Sequence, residues 1–246
     1  MKPEYNPKQR VRCMPQSVPM LRYLGVVAVC VATVLAGCKG EPRTPAVGQR
    51  TAPAVANPLL KGPAATPARS PDQYRASVVT SRGTFTLQIT RALAPLGADR
   101  FYEMVNAGYF TDVRFFRVVP GFVAQFGMHG DPEVNTVWQD RHLVDEPAKA
   151  SNARGAIVFA TTPEPNSRAN QFFINLVDNT NKLDALHFAP FGKVVEGMDV
   201  VDKLNTEYAE QVNQMRLASK GNAYLRAWFP ALDSIVSAKI VTDSAR

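Results

Sequence analysis

Eight short runs of β-branched and aromatic residues constrain the fold of this chain more than any other feature. Each run is five to seven residues long, the ordinary length of a strand, and residues of these types favour strands. The runs occupy residues 76–80, 84–90, 113–119, 122–126, 156–160, 171–176, 191–195 and 235–241. They lack the regular strand–helix alternation that is typical of parallel α/β folds. We therefore expect a mainly β protein with antiparallel strands.

Turns and helices complete this prediction. Gly83 and the pair Pro120-Gly121 lie between neighbouring runs and predict two hairpins. A helix is predicted over 95–106, which begins with a proline and is followed by a glycine, and a shorter helix over 198–204. Eight strands is near the size at which interior side chains just fill a barrel. The expected fold is an eight-stranded closed antiparallel β-barrel capped by two or more α-helices.

An uncharged, mostly apolar run of fourteen residues, 24–37, lies near the beginning of the chain. It is shorter than the roughly 20 apolar residues that span a membrane as a helix, and it resembles the core of a signal peptide. Residues 35–38 (LAGC) resemble the lipobox of bacterial lipoproteins, which implies a lipid on the sulfur of Cys38 and cleavage before it. We therefore predict a lipoprotein signal peptide over 1–37.

Two alternatives stay open for this leader. Met14 and Met20 are alternative start sites, because the residues after Met20 make a more ordinary beginning for a signal peptide. A membrane anchor that is never cleaved is the alternative to a lipoprotein. Under either interpretation we expect the protein in the bacterial cell envelope, facing the periplasm or the exterior.

Composition divides the chain near residue 72. Residues 39–71 contain seven prolines, seven alanines and no aromatic residue, too little apolar surface to offset the entropy of ordering. We expect residues 38–72 to be a lipidated cysteine and a disordered linker, and 73–246 to be the folded domain. Residues 1–71 hold ten of the 28 Lys and Arg but two of the 21 Asp and Glu, so the rest is close to neutral. No nucleic-acid partner is therefore expected.

The folded part offers little conventional catalytic chemistry. All three cysteines precede residue 39, which excludes disulfides, a cysteine nucleophile and thiolate metal ligands after it. His129, His142 and His187 form no zinc-binding pair, and the motifs of hydrolases, phosphate-binding loops and dinucleotide-binding folds are missing. We expect no metal and no cofactor.

Arg117 stands out because it lies among aromatic and β-branched residues. In an extended strand it shares a face with Phe115 and Val119, where a charge is unfavourable unless it reaches solvent or a partner. On the returning strand, Gln125 shares a face with Val123. From periodicity alone, a core strand with an edge arginine and a surface glutamine is the simpler interpretation.

Three segments of the chain resemble, in order, the cyclophilin-type peptidyl-prolyl isomerases. Residues 116–127 (FRVVPGFVAQFG) are similar to the family signature F-H-R-[IV]-[IV]-P-G-F-x-x-Q-x-G. Residues 154–160 (RGAIVFA) with 170–175 (NQFFIN), and residues 183–198, which contain PFGKVVEGM, resemble two further family segments. Together they cover most of 74–205, and the resemblance implies the cyclophilin fold.

The resemblance also implies a set of site residues. It assigns catalysis to Arg117 and Gln125, and the aromatic walls of a proline pocket to Phe122 and Phe173. The full set of implied substrate-binding residues is Phe122, Val123, Ala160, Thr161, Gln171, Phe173, Leu183 and His187.

The chain departs from the family pattern at several positions. Phe116 stands where the family has histidine, and we expect no effect, because alternation points it away from Arg117. Lys182 stands where an aromatic residue is common, which puts strong cyclosporin binding in doubt. His187 aligns only if the following loop carries an extra residue. Residues 206–234 lie outside the three segments.

The function implied by the resemblance is peptidyl-prolyl cis-trans isomerisation of X-Pro bonds in exported or envelope proteins, which assists their folding. The expected partners are proline-containing polypeptides, with broad specificity, and the membrane through a lipid on Cys38. A non-catalytic, proline-peptide-binding or chaperone lipoprotein of the same fold is the alternative. We expect a monomer.

Overall fold

A computed structural model describes residues 57–241, which form one antiparallel sheet and five α-helices. The strands in this range are β1 Gln73–Thr80, β2 Gly83–Thr90, β3 Val113–Arg114, β4 Arg117–Val118, β5 Val123–Phe126, β6 Ala156–Phe159, β7 Phe172–Asn175, β8 Pro190–Glu196 and β9 Ser234–Val241. The helices are α1 Pro95–Asn106, α2 Pro132–Gln139, α3 Thr180–Leu183, α4 Met198–Asp202 and α5 Gln214–Trp228.

The sheet is curled, and its two edges are joined by the chain itself. The nine described strands follow the order β3-β9-β1-β2-β8-β6-β7-β5-β4. The edge strands β3 and β4 are consecutive in sequence and separated only by Phe115 and Phe116. The result is a half-barrel, and the expected mainly β, antiparallel fold with helices is confirmed. Nine strands occur where eight were expected, because residues 113–119 form two short strands.

The division of residues 113–119 changes which way their side chains point. β3 pairs with β9, whereas β4 pairs with β5, so the chain crosses from one edge of the sheet to the other. Phe115 and Val118 both enter the main core, although strict alternation would place them on opposite faces. The prediction that Arg117 shares a face with Phe115 is therefore wrong. The crossing between the edges resets the alternation.

Packed phenylalanines fill the main core between the sheet and α1. Phe172 on β7 is fully buried, and its ring centroid lies 4.4–6.1 Å from those of five other rings. These five rings belong to Phe101, Phe110, Phe126, Phe159 and Phe191. Because they come from a helix, three strands and a loop, the cluster ties distant parts of the chain together.

Two of the five α-helices in the described residues were predicted from the sequence, and α2, α3 and α5 were not. The predicted helix over 95–106 is α1, with the same bounds, and the predicted 198–204 corresponds to α4. α2 carries clear start signals: the side chain of Asp131 accepts hydrogen bonds from two backbone N–H groups, and Pro132 occupies the first position. Eight residues are too few for a convincing helical period, so only the cap could have indicated this helix.

A C-terminal excursion, residues 205–233, leaves the sheet after α4 and returns to it as β9. Its apolar side chains pack around Phe116 in a second hydrophobic cluster. The other buried members are Met128, Val212, Leu217, Tyr224, Leu225 and Leu232. The backbone N–H of Asn222 donates to the carbonyl of Gly130 at 2.8 Å, and its side chain donates to the carbonyl of Asp112 at 2.8 Å. These contacts fix the excursion beside the crossing.

The structured domain begins before residue 73, the expected start. Residues 57–72 were expected to belong to the linker, but they pack against the domain. Trp138 Nε1 donates to the carbonyl of Leu59 at 2.9 Å, and the buried Ser70 donates to the carboxylate of Asp99 from both its N–H and its hydroxyl at 2.8 Å. Proline-rich chain can be ordered in this way, because its few polar groups hydrogen-bond with side chains of the domain. The signal peptide, Cys38 and the rest of the linker lie outside the described residues.

Replacing Phe172 by alanine should lower the free energy of unfolding by about 3–5 kcal/mol, because it leaves a cavity among five packed rings. Urea unfolding, followed by circular dichroism, measures this loss. The control is Val236→Ala on β9, where the side chain is 55% exposed, and it should change stability by less than about 0.5 kcal/mol. Similar losses in the two variants would contradict the central role of Phe172.

Candidate active site

An open groove of about 580 Å³ lies over β4, β5 and β7, on the face turned away from the main core. The pairing of the strands aligns four side chains in a row, and three of them, Arg117, Gln125 and Phe173, line the groove. Arg117 on β4 lies opposite Gln125, Gln125 lies opposite Phe173, and Phe173 lies opposite Val158. Residues directly opposite one another share a face of the sheet. The register therefore brings a cation, an amide and apolar side chains onto one surface.

Arg117 is held from two sides. Its Nη1 donates to Gln125 Oε1 at 3.3 Å, and Gln125 Nε2 donates to Gln171 Oε1 at 3.0 Å. On the other side, its Nε donates to Glu210 Oε1 at 2.9 Å, and its Nη2 donates to the same oxygen. The guanidinium carbon lies 5.6 Å from the ring centroid of Phe122, within the range of a cation–π contact. The cation therefore has a defined orientation beside an aromatic wall.

Apolar side chains form a pocket beside the arginine. Val123, Val158, Phe173 and Leu183 are buried in a cluster separate from the main core, with Phe122, Ala160 and Phe188 partly buried against it. The rings of Phe173 and Phe188 meet edge to face at 5.5 Å. Such a surface suits a compact apolar ring whose polar neighbours face the guanidinium.

Three buried asparagines hold the loops that carry these walls. Asn179 Nδ2 donates to the carbonyl of Phe122 at 2.9 Å and to Asn175 Oδ1 at 2.8 Å. Asn152 Nδ2 donates to the carbonyl of Phe188 at 3.1 Å, and Asn175 Nδ2 donates to Asn152 Oδ1 at 3.4 Å. The network therefore links the backbones of two aromatic residues of the pocket, Phe122 and Phe188.

Asp184 completes this network at its outer end. The side chain and the backbone N–H of Asn152 both donate to its carboxylate at 2.8 Å. These hydrogen bonds hold the pKa of Asp184 below its ordinary value, because they stabilise the charged form. Asp184 therefore stays ionised at neutral pH and fixes the loop at its own end.

Nine of the ten predicted site residues line this one groove. They are Arg117, Phe122, Val123, Gln125, Ala160, Thr161, Gln171, Phe173 and Leu183. The tenth, His187, is exposed, has a left-handed backbone (φ +60°) and lines a smaller adjoining groove of about 240 Å³. Phe188, the next residue, contributes to both grooves. The structure thus brings nine predicted residues together, and their individual roles stay predictions.

Sequence reasoning missed three kinds of residue at this site. Phe188 was overlooked because an uncertain loop length drew attention to His187. The asparagines Asn152, Asn175 and Asn179 were overlooked because buried amides carry no local pattern. Their closeness to phenylalanine-rich strands was the available signal. Glu210 lies 93 residues from Arg117, and nothing local indicates that contact.

Groups of three or more His, Cys, Asp or Glu side chains placed to hold a metal ion do not occur in residues 57–241.

Comparison with known proteins gives a consistent result. The family model described as "Cyclophilin type peptidyl-prolyl cis-trans isomerase/CLD" matches residues 75–221, more than half of the chain. Peptidyl-prolyl cis-trans isomerase A of Dickeya dadantii is 33% identical over 138 residues, which cover 55% of this chain and 73% of the relative. Peptidyl-prolyl cis-trans isomerase B of Escherichia coli is 31% identical over 132 residues, which cover 51% of this chain and 80% of the relative.

Solved structures are similar in fold. A cyclophilin-type peptidyl-prolyl cis-trans isomerase of Cryptosporidium parvum, crystallised in the presence of the dipeptide Ala-Pro, superposes with a TM-score of 0.52 and 18% identity. The superposition covers 69% of this chain and 99% of that chain. At this level of identity, the similarity supports the fold.

Replacing Asn175 by alanine should cost about 1–3 kcal/mol of unfolding free energy, because Asn152 and Asn179 are left with unpaired buried groups. Urea unfolding measures this loss. Asn106→Ala is the matched control, since Asn106 is exposed at the end of α1 and hydrogen-bonds only within its own helix. Equal stability of the two variants would mean that the network does not hold the loops.

Proposed function

This chain belongs to the cyclophilin-type peptidyl-prolyl cis-trans isomerase family, and on that premise we propose that Arg117 and its groove perform the isomerisation of X-Pro bonds. The observation that carries this proposal is the row across the sheet, in which Arg117 and Gln125 stand beside the apolar wall of Phe173. The protein is a peptidyl-prolyl isomerase that binds proline-containing polypeptides.

The reaction needs no bond to be broken. Rotation about an X-Pro amide is slow because the C–N bond has partial double-bond character, with a barrier of about 18–20 kcal/mol. In the twisted transition state this conjugation is lost, and the prolyl nitrogen becomes pyramidal and regains a lone pair. An enzyme accelerates the rotation if it binds the twisted amide better than either planar form.

The groove has the parts for such selective binding. The proline ring occupies the pocket formed by Phe122, Val123 and Phe173, which excludes water from one side of the amide. Arg117 then donates a hydrogen bond to the lone pair of the prolyl nitrogen, an acceptor that exists only in the twisted state. Gln125 orients the guanidinium through Nη1. An acceleration of about five decades would correspond to about 7 kcal/mol of transition-state stabilisation.

We expect the remaining predicted contacts to flank the proline. Ala160, Thr161 and Gln171 line the same groove and would contact the substrate backbone there. Leu183 contributes to the pocket wall. Because this recognition uses one proline and neighbouring backbone, we expect little selection among client sequences.

Arg117→Ala should lower kcat/KM for an Ala-Pro-Phe peptide on the order of a hundredfold or more, since it removes a charged donor to the transition state. The measurement is cis/trans exchange by NMR with the full chain. Arg69→Ala is the control, because Arg69 is exposed and lies outside the groove. Peptide binding with near-background exchange in wild type and variant alike would favour the non-catalytic binding protein.

We also propose that the enzyme is anchored in the bacterial cell envelope, facing the periplasm or the exterior, and acts on exported proteins. The support is the apolar run 24–37 followed by LAGC, and Cys38 would carry the lipid. In residues 57–241, no helix is long and apolar enough to cross a membrane. The proposed client class follows from this location and from the isomerase activity together.

Cys38→Ser should abolish lipid attachment and release the protein from the membrane fraction, because the thiol is the proposed acceptor of the lipid. Metabolic labelling with a radioactive fatty acid in a bacterial host, followed by fractionation, measures both effects. Cys30→Ser, within the apolar run, should keep label and location. Unchanged labelling of the Cys38 variant would overturn the lipoprotein assignment, and membrane retention without any label would favour the uncleaved anchor.

A further inference from the structure

Glu210 contacts the guanidinium of Arg117 from a part of the chain that follows all three family-like segments. Arg117 donates from both Nε and Nη2 to one carboxylate oxygen, Glu210 Oε1. The arginine side chain is 23% exposed and the glutamate side chain 61% exposed, so the pair lies at the rim of the groove. An ion pair this exposed contributes little to stability. Its effect must therefore be sought in the orientation of the arginine.

The excursion holds Glu210 in a defined turn. Ala209, the residue before it, has φ +42°, a left-handed conformation that is unfavourable for alanine unless the surrounding structure imposes it. Val212 is buried in the second hydrophobic cluster, and the backbone N–H of Asn213 donates to the hydroxyl of Tyr224 at 3.3 Å. The carboxylate is thus attached to a braced turn rather than to a free loop.

The same cluster connects this turn to the arginine through the chain. Phe116, the residue directly before Arg117, is 1% exposed and packs against the excursion. Gln214, which begins α5, also lines the groove. The excursion therefore touches the site at three points: beneath the chain at Phe116, along the groove wall, and at the guanidinium itself.

The hydrogen-bond geometry leaves one end of the guanidinium available. Nε and Nη2 present N–H groups along one edge of the planar group, and this is the edge that Glu210 occupies. Gln125 accepts from Nη1. With three of the five N–H donors engaged, the remaining N–H groups of Nη1 and Nη2 can face the groove. A carboxylate on this edge restrains the guanidinium without blocking its end.

We infer that Glu210 is a positioning residue for the isomerisation, and that the C-terminal excursion is consequently part of the active site. The inference rests on the proposed role of Arg117. Glu210 and Gln125 hold opposite sides of the guanidinium, so that its free N–H groups point at the position of the prolyl nitrogen in the twisted amide. A misplacement of the order of 1 Å in such a group can reduce a rate by about a hundredfold.

The test compares Glu210→Ala, Glu210→Gln and Arg117→Ala in the full chain, with cis/trans exchange of an Ala-Pro-Phe peptide measured by NMR. Glu210→Ala should lower kcat on the order of tenfold, while the peptide dissociation constant changes by less than about twofold, because the lost interaction acts in the transition state. The kcat of Glu210→Gln should lie between the values of wild type and Glu210→Ala, because its amide oxygen still accepts hydrogen bonds but carries no charge. The Nε–H resonance of Arg117 should shift and exchange faster with water in Glu210→Ala.

The matched control is Glu207→Ala. Glu207 lies in the same turn and is exposed, and among the described residues its carboxylate takes part in no ion pair within 4 Å. Glu207→Ala should leave both kcat and the Arg117 resonance unchanged.

Salt provides a second check. Raising the ionic strength from 0.1 to 1 M shortens the screening length from about 10 Å to about 3 Å. The difference in kcat between wild type and Glu210→Ala should therefore become smaller.

The outcomes separate this inference from the proposed function. Wild-type kcat in Glu210→Ala, with strong loss in Arg117→Ala, would overturn the inference and leave the function standing. Faster exchange in Glu210→Ala would also overturn it, since the carboxylate would then compete with the substrate for the arginine. Unchanged exchange in Arg117→Ala would remove the premise itself. Because Glu210→Gln preserves the shape of an exposed side chain, a folding defect is not expected to obscure the result.

Discussion

The crossing of the chain at Phe115 and Phe116 is the constraint on which the rest of this structure depends. The two edges of the curled sheet, β3 and β4, meet there, and the two phenylalanines leave the backbone in different directions. Phe115 packs in the main core, and Phe116 packs in the cluster of the C-terminal excursion. Arg117 follows immediately, so two buried rings restrain the backbone that carries it. The same short segment of chain therefore contributes to the main core and supports the site.

Local sequence patterns predicted the strands well, because residue type and alternation depend on near neighbours. They could not divide residues 113–119, since the division arises from pairing with β9 on one side and β5 on the other. The folded domain begins before the expected residue 73 for a similar reason. Prolines around Leu59 and Ser70 indicate unfolded chain, yet these two residues are ordered by hydrogen bonds with distant side chains of the domain.

The site residues also divide into those that the sequence predicted and those that only the structure shows. The motif supplied the residues that lie on the strands and adjacent loops, because short segments carry them at fixed spacing. The motif gave no sign that the ring of Phe116, which was expected to point away from Arg117, packs in the cluster of the excursion. Glu210 and Asn152 reach the site through contacts across long stretches of chain, and their residue types are ordinary for surfaces and turns. Their contacts with the site are therefore visible only in the three-dimensional structure.

The pairing of the first and last strands has a consequence for how the domain is made. β1 lies between β2 and β9, with Ser77 opposite Lys239, so its second neighbour is the last of the described strands to be synthesised. Until β9 arrives, one side of β1 exposes unpaired N–H and C=O groups, which invite pairing with other chains. Contacts of such long sequence separation also form slowly. A nascent chain of this protein therefore keeps an open edge at β1 until β9 has been synthesised.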